Sequence, residues 1–381
     1  MGLQRTAWAF EHPKRPESQK RQVNQEIIRG IDLLYVLQFD EAEDIFRNLI
    51  AQSPEDPQGY FYLAMVTWSR LANGFLGSET VREYKKRIDR TIQVAEGRIR
   101  HISATSNDFF YLGGALGFKG RFELMRGKWL SSFFLSRDAI DALETSLEME
   151  PDNRDVLLGL GIFDYYTAHL SGALKFLTYL LLHRGNKKEG MRKLHLAASE
   201  AIYSKTEAKS MLLHIYLFIE EDFPKALKLA LDLARKYEEN PRYIIFAGVC
   251  YIRLGMDLQY GDMVDLLRRK GMEASTEKEA SMWNRRALYL ETIYYLYNGP
   301  YAEARLKLRL ILHHPDPEND PLMIAWPLAK IGMSYDLDGD REEAIKYYQQ
   351  VLNMANGAGA QFFAKKYIGN APQKNDPFIA Y

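Results

Sequence analysis

The amino-acid sequence predicts an all-α fold, a solenoid of about eight irregular helix pairs with a C-terminal capping helix. Three observations carry this expectation. Small residues, or residues standing in for them, recur at one helical register at Gly30, Ala64, Gly113, Gly161, His214, Gly248, Thr292 and Gly332. The interval is 34 residues from position 30 to 64 and again from 214 to 248, and it is longer elsewhere. Helix breakers fall between the pairs, at Ser53-Pro54-Glu55-Asp56-Pro57, Glu150-Pro151-Asp152-Asn153, Glu239-Asn240-Pro241 and His314-Pro315-Asp316-Pro317, where proline removes a backbone donor and clashes with the preceding turn. No segment alternates with period two over a useful length, so no sheet is expected.

In the first pair, residues 26–54 place Gly30, Leu33, Ala42, Phe46, Leu49 and Pro54 so that small side chains on both helices permit close approach and the proline stops the second helix. The second pair opens with Tyr60, Leu63 and Ala64, but its second helix starts late, from Glu79, behind a loop holding Gly74 and Gly77. The third sets Leu112, Gly113 and Leu116 against Ala139, Leu143 and Pro151. The fourth centres on Gly161. The fifth has His214 at the small position and keeps Ala226 and Ala230, and the sixth centres on Gly248. The seventh keeps Ala304 and Leu308, and the eighth sets Leu328, Ile331, Gly332 and Tyr335 against Ala344, Tyr348 and Val351.

Between the helices of the fourth pair, residues 170–182 are almost wholly apolar but carry Lys175. The stretch falls short of the ~20 residues a bilayer span needs. An extra helix near 170–183, laid against the inner face, is expected; a plain extension of a core helix, a movable plug and a site of membrane contact or dimerisation are the other readings. The division expected is a polar lead-in at 1–22, the repeat array at 23–355, and a cap and tail at 356–381, where GAGAQFFAKKYIGNAP forms a short helix over the open end.

Composition narrows the function classes. Lys plus Arg and Asp plus Glu number 50 each, so no global attraction to nucleic acid is encoded. In REYKKRIDR, Arg82, Lys85, Lys86, Arg87 and Arg90 are interleaved with Glu83 and Asp89, a spacing that stabilises an exposed helix and lacks the dense positive face of a nucleic-acid site. The single cysteine, Cys250, makes no internal disulfide and no thiolate cluster. The N-terminal stretch MGLQRTAWAFEHPKRPESQ has no apolar h-region, so the expected location is cytoplasmic, or exported if a signal peptide has been removed. MGLQRT also fits the loose myristoylation pattern.

The residues quoted above make the chain resemble tetratricopeptide-repeat proteins. From about residue 26 to 355 it more closely resembles a largely uncharacterised bacterial tetratricopeptide group, through FYLGGALGFKGR, EPDNRDVLLGLGIFDYY and EAKSMLLHIYLF; GLGIFDYY with RGNKKEGMRKLHLAA faintly resembles a eukaryotic tetratricopeptide subfamily linked to lipid handling. The resemblance implies a scaffold for protein contacts and no enzyme activity. It also implies that the fifth and ninth positions of each first helix face a concave groove. None of those positions is charged here, whereas tetratricopeptide clamps for a peptide carboxylate carry Lys and Asn there, because a buried carboxylate needs charge-assisted donors.

The expected partner-binding set is therefore apolar: Phe61, Met65, Trp68, Phe110, Leu158, Ile162, Tyr165, Met211, Ile215, Phe218, Ile245, Tyr289 and Ile293. Two readings are open. Either the groove receives an apolar or amphipathic segment of another protein, or alternatively a lipid or other apolar small molecule, or the superhelix closes on itself and these residues are core.

Other candidates carry less chemistry. Asp164 lies among Phe163, Tyr165 and Tyr166, where it would accept hydrogen bonds from a tyrosine or a helix N-terminus, and no second carboxylate is fixed beside it. The eight histidines form no paired ligand motif, and the adjacent His313 and His314 are expected to point apart. Gly113, Gly114, Gly117 and Gly120 lack the Lys-Ser/Thr of a phosphate loop and are spaced as a helix-packing face. No metal or cofactor is expected.

Overall fold

The computed structural model describes residues 17–101, 103–169, 185–373 and 376. Among these residues there are seventeen helices and no strand. The helices run as successive pairs: α1 (Glu17–Tyr35) with α2 (Phe39–Gln52), α3 (Pro57–Ala72) with α4 (Ser78–Ile99), α5 (Ser106–Met125) with α6 (Trp129–Met149), and α7 (Val156–Ala168) with α8 (Lys187–Glu200). Then come α9 (Lys205–Phe218) with α10 (Phe223–Lys236), α11 (Pro241–Arg253) with α12 (Asp257–Glu273), α13 (Glu277–Asn298) with α14 (Tyr301–His313), and α15 (Leu322–Leu337) with α16 (Arg341–Leu352); α17 (Ala360–Gly369) packs on α16 and α15 as the cap. The extra helix expected near 170–183 lies outside the described residues.

One turn recurs between paired helices. The backbone N–H groups of Gln38, Phe75, Lys128, Met256 and Asp340 each donate to the carbonyl five residues earlier, at Leu33, Arg70, Glu123, Tyr251 and Tyr335. This left-handed C-cap satisfies carbonyls the helix leaves open. Its positive-φ residue is glycine at 74, 127, 255 and 339, and Leu37 in the first pair. Helix starts are capped by the short polar residues that favour that position: Asp56, Asn186, Asp222, Asn240, Thr276 and Asp340 each accept from a backbone N–H of the first turn.

The small residues do what their register implies. A side chain at Gly113 would put its Cβ 2.6 Å from Leu143 Cγ and 2.9 Å from the Ala139 carbonyl, at Gly161 3.1 Å from the Gly190 carbonyl, and at Gly332 2.7 Å from the Tyr348 ring. The fifth pair departs from this: the ring of His214 lies against Phe218 and Phe246 at centroid distances of 5.6 and 5.4 Å, facing α11, so it does not stand in for a small residue at the α9–α10 contact. Of the GGALGFKG glycines, Gly117 is the exception, its Cβ position meeting only Ala139 Cβ at 3.9 Å.

First helices of successive pairs also touch one another, α1 to α3, α3 to α5, α5 to α7, α11 to α13 and α13 to α15, and so form the inner layer. The apolar core falls into two principal clusters that meet at α7, with Val156 and Leu160 in the N-terminal one and Tyr165 in the C-terminal one. Buried polar groups fasten the turns. Asp155, 6% exposed, accepts from the backbone N–H groups of Ile202, Tyr203 and Ser204 at 3.3, 2.8 and 2.6 Å and so ties the α8–α9 turn to the start of α7. Asp320 receives Arg285 Nε at 2.9 Å and both terminal nitrogens of Arg286 at 2.8 and 2.7 Å, all three residues buried.

A second set of contacts joins residues far apart in the chain. Tyr203 donates to Asn24 (2.6 Å), Tyr237 and Lys236 to Asp32 (2.6 and 3.0 Å), Tyr35 to Glu207 (2.6 Å) and Asn240 to the Tyr35 carbonyl (2.8 Å). Arg242 reaches the Ala72 carbonyl and Asn73, and Asn356 the Gly74 carbonyl at 2.9 Å. Gly74 itself is pressed against Leu322 and Ala358. The array thus turns far enough for the ends of α1 and α3 to rest on α9 to α11, α15 and the loop before α17.

Candidate functional site

The inner layer brings the predicted apolar lining together but buries most of it. Phe61, Met65, Phe110, Tyr165, Met211, Ile215, Ile245, Tyr289 and Ile293 are 0 to 9% exposed, whereas Trp68, Leu158, Ile162 and Phe218 are half-buried. The cause is lateral packing between first helices. Phe61 meets the rings of Tyr62, Tyr111 and Phe118 at centroid distances of 5.3, 5.4 and 6.1 Å and lies over Gly114, so its apolar surface is used within the array.

What stays accessible is a smaller set around α3, α5, α7 and α9. Trp68 packs edge-on against Phe118 at 5.3 Å, and the Arg121 guanidinium stacks 5.2 Å above the Trp68 ring. Such stacking is favourable because the cation meets the negative face of the indole. Tyr166 is 39% exposed and its hydroxyl reaches the Met211 sulfur at 3.7 Å. Of the adjacent tyrosines, Tyr166 is therefore the one presented, and Tyr165 is core.

Among the described residues, Arg121 is the charged group stacked on this set. Burial pushes the His214 imidazole down to about 4; its Nδ1–H donates to the Ser210 carbonyl at 2.8 Å, which opposes the shift, while the charges of Arg242 and Arg121 add to it. His214 is thus neutral at physiological pH. Burial likewise raises the Tyr166 and Tyr84 phenols, with Arg121 acting in the opposite sense on both. Arg121 was not legible as a lining residue because it sits far beyond the ninth position of its helix, and α5, at 20 residues, carries it there.

The acid singled out in the sequence has a structural partner: Lys193 Nζ lies 2.6 Å from Asp164, joining α8 to α7. This replaces the tyrosine or helix-terminus bond expected for it. The tyrosine bond belongs to Tyr165, which donates to Glu220; burial and then that carboxylate raise the phenol well above its usual range. Glu220 also takes Lys187 at 2.6 Å, and although burial opposes ionisation, these two donors hold the carboxyl below its usual range. His313 and His314 do not point apart, since α14 ends at His313 and the rings meet at 4.4 Å. Part of the basic run of α4 is engaged within the array: Arg87 is buried on Glu43 and Glu83, and Arg90 lies over Tyr60.

Comparison with known proteins adds a family. Residues 328–360, spanning α15 and α16, match the family described as Tetratricopeptide repeat. No curated protein matches the sequence. Among solved structures, the crystal structure of the P58(IPK) TPR domain aligns at 14% identity over 91% of this chain and 90% of that one, with a TM-score of 0.24, a superposition too poor to compare their shapes. The match at the eighth pair, and the tandem helix pairs built on the same small-residue register, support a tetratricopeptide-repeat protein.

Proposed function

We propose that this chain is a non-enzymatic scaffold that holds an apolar or amphipathic segment of another protein against the accessible inner surface made by Trp68, Ile162, Tyr166 and Phe218. The tetratricopeptide array supports a protein-interaction role in general. The observation that carries the finer reading is the half-exposed aromatic set itself: large rings left partly open on a surface whose neighbours are packed, with the Arg121 guanidinium stacked on Trp68. Aromatic anchors of this kind dominate interface energetics when a partner desolvates them, and Arg121 would favour a segment carrying an acid beside its apolar face.

Native mass spectrometry of gently purified protein, repeated after denaturation, tests this. Bound polypeptide mass that is lost on denaturation, and absent in Phe218→Glu and Trp68→Asp variants that keep their helicity, is the expected result. Bound mass in the range of a small apolar molecule supports a ligand carrier instead. A bare chain in the presence of cell extract contradicts both.

A further inference from the structure

We propose that the tip of the α5–α6 hairpin is a docking element for an anionic lipid surface. The two helices are 20 and 21 residues long, against 13 and 14 in the following pair. The excess of about seven residues carries the tip roughly 10 Å beyond that following pair, while on its other side α4, 22 residues long, runs alongside it. Five large apolar side chains are open there: Leu124 is 58% exposed, Met125 60%, Trp129 47%, Leu130 51% and Phe134 43%. These five lie within eleven positions, and every residue from 124 to 131 is exposed.

The chemistry around them fits a lipid interface. Arg126 and Lys128 flank the turn at Gly127, and Lys85 approaches from α4 to within 5.9 Å of the Phe122 ring at the base of the tip. The only acid between residues 121 and 137 is Glu123, which is buried and takes Lys128 at 3.1 Å. The chain as a whole has zero formal charge, so this cationic rim is local, and at physiological salt it acts over about 8 Å. A convex tip of large apolar side chains with an indole and basic residues at its margin matches a deformable surface with apolar depth and anionic headgroups.

The test uses the full chain and flotation with vesicles of phosphatidylcholine alone or mixed with phosphatidylglycerol. The chain is expected to float with the anionic vesicles, less with the neutral ones, and less as salt is raised. Leu130→Glu or Trp129→Glu should lower the partition by about tenfold or more, and Arg126→Gln by about fivefold, with melting temperatures unchanged because these side chains are exposed. Leu258→Glu, at a position 85% exposed on α12, should leave flotation as it is. Failure of the wild-type chain to float overturns the proposal, as does flotation indifferent to Trp129→Glu and Leu130→Glu. Loss of self-association or of a protein complex in these two variants, without an effect on flotation, would assign the tip to a protein contact and equally overturn it.

Discussion

Two glycines four residues apart on the same helix separate intrinsic helix propensity from interhelical packing. Gly113 and Gly117 both lie in the interior of α5, so alanine at either gains about 1 kcal/mol of propensity. Their surroundings differ. At 113 the new methyl would sit 2.6 Å from Leu143 Cγ and 2.9 Å from the Ala139 carbonyl, and a backbone oxygen inside a helix cannot rotate away. Overpacking of this kind costs about 1–3 kcal/mol. At 117 the nearest atom is Ala139 Cβ at 3.9 Å, ordinary van der Waals contact. Gly117→Ala should therefore stabilise by about 1 kcal/mol, and Gly113→Ala should be less stable than Gly117→Ala by about 1–3 kcal/mol, the propensity gain cancelling in the difference. Urea unfolding followed by far-ultraviolet circular dichroism and by tryptophan fluorescence measures this as a separation of midpoints at constant slope. Equal midpoints for the two variants would refute the claim that the register of small residues sets the helix spacing.

Asp320→Ala should destabilise by about 3–5 kcal/mol, because it removes the carboxylate that two buried guanidinium groups share. Although burial opposes ionisation of Asp320, Arg286 and Arg285 hold its carboxyl below the usual range, so its stabilising effect is complete above about pH 4, where the unfolded carboxyl is ionised, and is lost as pH falls through the lower folded value; acid titration of the melting temperature reads this as a shallower decline in the variant. Asp155→Ala should cost about 2–4 kcal/mol by removing a charged acceptor from three backbone donors, and hydrogen exchange should show faster opening at residues 202–204. Burial pushes Lys330 down to about 7, below the unfolded value near 10.4, so the folded state binds fewer protons across that window and the contribution of this group to stability rises with pH from about 7 to 10; Lys330→Met should flatten the dependence of the melting temperature over that range. The Tyr84 hydroxyl is buried without a hydrogen bond among the described residues, and Tyr84→Phe should stabilise by about 1 kcal/mol, a gain that a lowered urea midpoint would contradict.

Local grammar was legible at most elements. The breakers at Pro54 and Pro151 end α2 and α6, Pro241 opens α11 where a missing N–H costs nothing, and the late start read at Glu79 corresponds to α4 beginning at Ser78. The candidate site was legible only in kind. The apolar inner face is present, but which of its residues remain accessible depends on how neighbouring first helices interleave. That left Trp68 and Phe218 half-open, sealed Phe61 and Tyr289, and added Arg121 and Tyr166. His214 was misplaced for the same reason: a period of 3.6 residues names the apolar stripe, yet two packing partners compete for it and the tighter fit decides.

The sequence by itself determined the helix pairs, the small residues that bring their axes together, the caps and stops, and the absence of charge from the expected inner positions. These are local properties, set by backbone sterics and by side chains within a few turns. Only the tertiary structure decided that α1 returns to α9, α10 and α11 through Asp32, Tyr35 and Tyr237, residues some 170 to 205 positions from their partners, and that the α5–α6 tip extends past the following pair. The second follows from the greater length of α5 and α6, and the first from rotation accumulated over successive pairs. Each increment depends on how side-chain volumes mesh between helices, so an error too small to disturb any one pair displaces the far end of the solenoid by a whole helix.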